Sequence, residues 1–354
     1  MIKSFDEVFE DVTKLGVKIK TDEYHPIGKY QIIDQGQEAV AGYSDLEDGV
    51  FENVPAIVFG DHTRIVKYVD QPFFLGADGV KVLRSRFKDA NYRYLYYALK
   101  SVKIPNTGYN RHFKWLKEAK IYYPNSEEQS KIVLILDEIS SVIEHRQRQL
   151  QKLDELVKAR FIELFGDMFL NSKAWKKQAL DSLADVVSGI TKGRKTKEPQ
   201  LIEVPYMAVS NVKDGYIDWT TVKTIQATQQ EIEQYRLLPD DVLMTEGGDP
   251  DKLGRGAILK EPLQNCIHQN HIFRVRLNES LILPAFFEEY LKHQKAKRYF
   301  LGCAKQTTGI ASINMRQLKA LPVLLPPLEL QEQFAAFVEQ TDKSKLYGKM
   351  EVAA

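Results

Sequence analysis

Residues 126–166 read SEEQSKIVLILDEISSVIEHRQRQLQKLDELVKARFIELFG. Apolar side chains stand at Ile132, Leu136, Ile139, Ile143, Leu150, Leu153, Val157 and Leu164. Their steps alternate four and three once Arg146 and Arg160 are counted into the row, which is the seam of a helix that faces another helix. Ser126-Glu127-Glu128-Gln129 after Pro124 is a capping box that opens the helix. Gly166 after Phe165 closes it, because glycine takes the left-handed conformation that ends a helix. The roughly 39 residues between rise about 58 Å. A rod of that length does not fit inside a compact domain, so it must join two domains or project from them.

The flanks of the rod read as mixed α/β. Ala56-Ile57-Val58-Phe59, Gly79-Val80-Lys81-Val82-Leu83 and His271-Ile272-Phe273-Arg274-Val275-Arg276-Leu277 are strand-like. Turn signals such as Gly60-Asp61, Lys213-Asp214-Gly215 and Gly247-Gly248-Asp249 bound such runs, and short helices are expected near residues 92–99 and 284–293.

The two flanks repeat each other. Pro124 through Leu136 aligns with Pro326 through Val338, placing Gln129 on Gln331 and Ile132 on Phe334. Leu116-Lys117 falls on Leu318-Lys319 in the same register, and Phe5 on Leu180. Between them, Phe74 through Val80 aligns with Cys266 through Ile272, and Tyr94-Leu95 with Phe286-Phe287. The order is module, helix, module, helix.

Composition narrows the class without naming it. The net charge of the 354 residues is +1, so any DNA-binding surface must be a basic face hidden in a balanced total. Cys266 and Cys303 form neither a CxxC pair nor a metal spacing, which fits a reduced, cytoplasmic protein. The start of the chain has no apolar signal core and no stretch is long enough to span a membrane, so the cytoplasm is the expected location.

The tract Glu128-Gln129, Ile132, Leu136-Asp137, Ile143, Arg146, Leu150, Leu153, Leu156, Phe161, Leu164-Phe165-Gly166-Asp167 resembles the central helical region of the Type I restriction-modification specificity subunits. Pro326-Pro327-Leu328-Glu329-Leu330-Gln331, with Phe334, Phe337-Val338 and Asp342-Lys343, is similar to their distal helical region, and Asp240-Asp241-Val242-Leu243 to a strand that follows a turn in that family. The resemblance implies an α+β chain: two α/β target recognition domains separated by long coiled-coil helices, with an internal pseudo-twofold repeat. The boundaries expected are 1–125 for the first recognition domain, 126–166 for the central spacer helix, 167–325 for the second domain and 326–354 for a distal helix. It also implies that each domain reads half of a split double-stranded DNA target. The partners implied are two methylase subunits and the motor-nuclease subunits. S-adenosylmethionine and ATP are expected on those partners and no cofactor on this chain. The distal helix departs from the pattern after Lys345, so it is expected to be short. Paired antiparallel, it would cover Leu153, Val157 and Leu164 but leave Ile132, Leu136, Ile139 and Ile143 to a methylase subunit or to self-association.

Catalytic motifs are missing, which favours a non-catalytic reader. The only double proline, Pro326-Pro327, lacks the preceding amide or acid and the following aromatic of an adenine methylase motif. Gly189 through Thr196 approaches a P-loop, but its spacing is one residue short and an arginine precedes the lysine. His268 and His271 read as part of a strand, which puts residues three apart on opposite faces, so hydrogen bonding rather than metal ligation is expected. A stand-alone DNA-binding regulator or a coiled-coil scaffold is the alternative reading; the first lacks a helix-turn-helix here, and the second would not need two α/β modules with basic loops.

Several loops carry residues able to meet DNA: His62 and Arg64; Tyr109, Arg111, His112 and Lys114; Lys192, Arg194 and Lys195; Asn270; and Ser312 with Asn314. A fourth basic tract, Lys292, Lys295, Lys297-Arg298 and Lys305, reads as a solvated face as readily as a DNA contact. Lys and Arg neutralise phosphates and read guanine edges, while Asn reads adenine. Arg194 is expected to touch either a guanine or a phosphate.

Overall fold

The computed structural model describes the whole backbone except Ala77, Tyr109, residues 195–199, Pro250, Asp251, Thr308 and Ala354; side chains are also not described at Gln306, Thr307, Ile310 and 347–353. The chain divides into two compact units, Met1–His145 and Arg146–Ala354.

The first unit begins with β1 (Ile2–Ser4), α1 (Phe5–Val8) and β2 (Phe9–Asp11). Next come β3 (Tyr30–Ile33), β4 (Gly42–Ser44), β5 (Ala56–Gly60), β6 (Val66–Val69), β7 (Phe73–Leu75) and β8 (Val80–Ser85). It closes with α2 (Tyr92–Lys100), α3 (Phe113–Lys117), β9 (Lys120–Tyr122) and the start of α4 (Ser126–Phe165). Three sheets form, in the orders β2-β8-β5-β6, β4-β3-β7 and β1-β9. β5 is buried at every position, flanked by β8 and β6, as its unbroken apolar run requires.

The second unit holds β10 (Lys176–Ala179), β11 (Ala184–Ser188), β12 (Ile202–Met207), β13 (Lys223–Ala227), α5 (Gln229–Tyr235) and β14 (Val242–Thr245). β15 (Gly247–Gly248), β16 (Gly256–Ile258), β17 (Ile267–His268), β18 (Ile272–Leu277) and α6 (Pro284–Lys292) follow. Last come α7 (Gln294–Cys303), β19 (Lys305–Thr307), β20 (Ile310–Ser312), α8 (Met315–Lys319), β21 (Pro322–Leu325) and α9 (Leu328–Ala353). Its sheets run β11-β18-β14-β16, β13-β12-β17 and β10-β21, the same three plans, with β15-β20-β19 added.

Individual hydrogen bonds repeat as well. The Gln129 side-chain amide donates to the Pro124 carbonyl at 2.9 Å, and that of Gln331 to the Pro326 carbonyl at 2.9 Å. The Phe5 amide donates to Ala119 and the Leu180 amide to Leu321, which confirms the register read from Leu116 and Leu318. One stretch needs correction. Gly79 does match His271, since each carbonyl takes the amide that follows the buried strand, from Asp61 and Glu246 respectively. Leu75, however, matches His268 rather than Ile267: these two carbonyls accept the amides of Ile19 and Ile190. The second unit has one residue fewer between those points, and an ungapped alignment slips there.

The long helix is continuous for 40 residues. In the first unit Ile132 and Val133 lean on the core of Phe5, Phe9, Leu83 and Leu95. Asp137 accepts from Arg93 Nε at 2.8 Å and from the Tyr97 hydroxyl at 2.5 Å. The Arg93 guanidinium lies over the rings of Tyr68, Tyr96 and Tyr97, so α2 and α4 are locked by charge and by cation–π contact together. In the second unit Val157, Phe161, Leu164 and Phe165 are buried with Phe286 of α6 and Phe334 of α9. Lys345 of α9 pairs with Asp154 of α4 at 2.8 Å, so α9 runs antiparallel to α4 from Phe165 back toward residue 154.

Of the expected seam, Val157 and Leu164 are buried, and Ile132, Leu136, Leu150 and Leu153 are half-buried. Ile139 and Ile143 are exposed. The expected end of α9 at Lys345 is corrected: the helix continues to Ala353, 26 residues in all. No helix among the described residues is long and apolar enough to cross a membrane.

Candidate nucleic-acid interface

The repeat brings candidate residues from separate loops to the same corner of each unit. The corner is the end of the buried central strand, β5 in one and β14 in the other. In the first unit the residue there is Asp61. Its amide donates to Gly79, its carbonyl accepts from His112 N at 2.7 Å, and its carboxylate accepts from Phe113 N at 2.7 Å. In the second unit the residue is Glu246. Its amide donates to His271 at 3.0 Å and its carbonyl accepts from Ile313 N at 2.9 Å. Thus the loop before the paired strand and the loop before the short α3 or α8 helix converge at one point in both units. β5 and β14 end at or just before Gly60-Asp61 and Gly247-Gly248-Asp249, the turn signals of the sequence.

In the first unit His62 and Arg64 occupy the β5–β6 hairpin and are half-buried. Gln35 shapes that hairpin: its Oε1 accepts from His62 N at 3.1 Å, and its amide donates to Asp78 O at 3.0 Å. Arg64 has a φ of 65° and reaches back to donate to the Ile104 carbonyl at 3.3 Å. Arg111 and Lys114 are exposed, Lys114 lying 4.2 Å over the Trp115 ring. His112 is corrected: it is 0% exposed, with Nδ1 at 3.0 Å from the Asp61 carbonyl oxygen, and cannot touch DNA in this fold. Tyr109 lies outside the described residues.

In the second unit Asn270, Ser312 and Glu246 gather around the β14 end. Ser312 of β20 pairs with Gly247, and the Asn270 amide stands 3.3 Å from His271 Nε2. His271 Nδ1 hydrogen-bonds the Glu246 carboxylate. Asn314 is exposed, but its side chain caps α8 by accepting from Gln317 N at 2.9 Å. Lys192 is exposed, and Lys195 lies outside the described residues. Arg194 differs from the expectation of a free reader. Its guanidinium grips both oxygens of Glu231, with Nε at 2.5 Å from Oε1, and also donates to the Gln226 carbonyl at 3.2 Å. Glu231 in turn accepts from Thr228 N at 2.9 Å as the capping box of α5. The Arg194 guanidinium holds the Glu231 carboxyl below the usual carboxylate range. Arg194 therefore anchors its loop to α5 in this structure. In the fourth tract, Lys292 pairs with Glu288 and Glu289, and Arg298 lies 4.5 Å over the Phe169 ring.

Sequence reading missed Glu246 and Gln35. Glu246 had a signal, a lone carboxylate between an apolar strand and two glycines; Gln35 had none, because its partners lie 27 and 43 residues away.

Next to this corner His268 is fully buried, its Nδ1 3.1 Å from the Ile272 carbonyl oxygen. Burial pushes its pKa down from 6.5 to about 4. The unfolded chain takes up this proton near 6.5 and the folded chain only near 4, so stability is full above that window and falls as pH drops through it. The unfolding free energy of the wild type, from denaturant titrations between pH 7 and 4, should decline with a slope from this group of at most about 1.4 kcal/mol per pH unit. The His268→Gln variant should lack that component, and equal pH dependence in both proteins would refute the assignment.

Comparison with known proteins agrees with this layout. The 169 residues aligned with the specificity subunit assigned to the MjaX type I restriction enzyme of Methanocaldococcus jannaschii are 29% identical and cover 48% of this chain and 39% of that one. The EcoR124I/EcoR124II specificity subunit of Escherichia coli is 22% identical over 363 residues, covering 94% of this chain and 84% of that subunit. The Type I restriction-modification system S subunit from M. genitalium shares the fold, with a TM-score of 0.57 at 18% identity over 100% of this chain and 92% of that one. The matched region spans less than two thirds of the M. jannaschii relative, and 30% of the EcoKI specificity subunit of Escherichia coli. The family model for the Type I restriction modification DNA specificity domain matches residues 1–155 and again 172–349. One match falls on each half of the structural repeat, and the chain belongs to that family.

Proposed function

We propose that this chain is the sequence-specific DNA-recognition subunit of a Type I restriction-modification complex, and that its two modules each read one half of a split double-stranded target. The observation that carries this reading is the duplicated corner, where the same backbone bonds hold different side chains: Asp61 with its hairpin in one unit, Glu246 with His271 and Asn270 in the other. A scaffold repeated for two readouts needs just this, a constant frame with variable polar loops. The chain supplies recognition and no catalysis. Methylase subunits carrying S-adenosylmethionine perform the transfer, and motor-nuclease subunits use ATP.

Co-expression of the chain with its methylase in a methylation-free host, followed by sequencing of modified bases, tests this. The expected result is methylated adenine in one motif with two defined halves and an undefined gap. The purified chain alone should transfer no methyl groups. Methylation by the isolated chain, or a continuous motif with no gap, would overturn the proposal.

A further inference from the structure

We infer that Glu246 is a base-reading residue of the second module, held in place by His271, and that it accepts a hydrogen bond from an exocyclic amino group, in the first place that of cytosine. The inference rests on the reading in the previous subsection and deepens it to one residue.

Three observations carry it. First, the fold uses the Glu246 backbone and not its side chain. The amide and carbonyl are occupied by His271 and Ile313, the bonds that Asp61 makes in the other unit. Asp61 adds a structural side-chain bond to Phe113 N and is 3% exposed. The Glu246 side chain is 32% exposed, and it hydrogen-bonds His271, itself 56% exposed. An exposed pair of this kind contributes little to stability, so the architecture does not require the carboxylate.

Second, the approach to it is open on one side and fixed on the other. Gly247 has no room for a side chain, since a Cβ would stand 2.9 Å from the Ala311 carbonyl oxygen. Gly248 has nothing among the described residues within 4 Å of where its Cβ would be. A bulky partner can reach the end of β14 across bare backbone.

Third, the chemistry is selective. A carboxylate only accepts hydrogen bonds. In the major groove cytosine presents an amino donor that a Glu or Asp side chain accepts from, whereas guanine N7 and O6 are acceptors and repel it. His271 bonded to one carboxylate oxygen leaves the other to meet the base, and Asn270 beside it limits the imidazole's rotation.

The test uses the full chain with its methylase and genomic DNA, read as a methylation motif. In Glu246→Gln, an isosteric change to a side chain that pairs with adenine, one base pair in one half-site should relax or switch, with discrimination there falling roughly 5- to 150-fold. The other half-site and the gap should not change. His271→Ala should weaken discrimination at the same base pair. A Glu246→Gln motif identical to wild type overturns the inference. So does uniform loss of methylation at an unaltered motif when the variant complex still assembles and melts normally, because that outcome marks a general contact. If the wild-type complex yields no split motif, the functional reading itself falls, which separates the two failures.

Discussion

Replacing Phe161 by alanine should cost the second unit roughly 3–5 kcal/mol, the range for truncating a buried aromatic. Phe161 is 2% exposed and sits where three helices meet. Its ring centroid is 4.9 Å from Phe165 of the same helix, 5.6 Å from Phe286 of α6 and 5.4 Å from Phe334 of α9. Nothing small can fill the space, because the neighbours are themselves large, fully buried rings on separate helices. The next residue, Ile162, is 55% exposed, and Ile162→Ala should stay within about 0.5 kcal/mol of wild type. Denaturant titration followed by far-UV circular dichroism and by the fluorescence of Trp175, whose indole N–H donates to the Phe165 carbonyl at 2.8 Å, measures both. A Phe161→Ala loss under 1 kcal/mol would show that α4, α6 and α9 do not share a packed core there.

The reason Phe161 escaped the seam read from sequence also marks the limit of that reading. The four-and-three row predicted the helix, and the capping box and Gly166 its ends, all of which are local or periodic properties, whereas the antiparallel pairing was implied by the resemblance. It put Arg160 in the seam, whereas the structure buries Phe161 and leaves Arg160 at the rim, its guanidinium 5.9 Å from the Phe337 ring. An undistorted helix drifts relative to a strict seven-residue row, and α6 widens the buried face beyond what one partner helix would cover. The repeat was legible for a different reason: the pairs Gln129/Gln331 and Phe5/Leu180 are set by the same backbone frame used twice. The site was legible in part. Loops rich in Asn, His, Arg and Lys announced themselves, but which of those side chains are already engaged depends on distant residues. Glu231 lies 37 positions from Arg194, and Asp61 lies 51 from His112, so no window of sequence reveals that one is anchored and the other buried.

The row Ile135, Ile139 and Val142 lies on the uncovered part of the long helix. These residues are 56%, 49% and 51% exposed and recur at spacings of four and three. At 100° per residue they lie on the far side of the helix from Asp137 and Ser140, which face α2. A stripe of that kind marks an interaction surface, and in the proposed complex its partner is the methylase. Ile139→Asp should therefore leave the fold nearly untouched, within about 0.5 kcal/mol, since the position is half open already. It should weaken assembly with the methylase about a hundredfold, because an unpaired carboxylate buried in an apolar contact costs on the order of 3 kcal/mol. Without its partner the wild-type chain should self-associate through the same stripe, and the aspartate should suppress that. Sedimentation of the chain alone and titration with the methylase read both effects. Normal complex formation by Ile139→Asp, together with a monomeric wild-type chain, would show that this face of the helix binds nothing and that assembly rests elsewhere on the subunit.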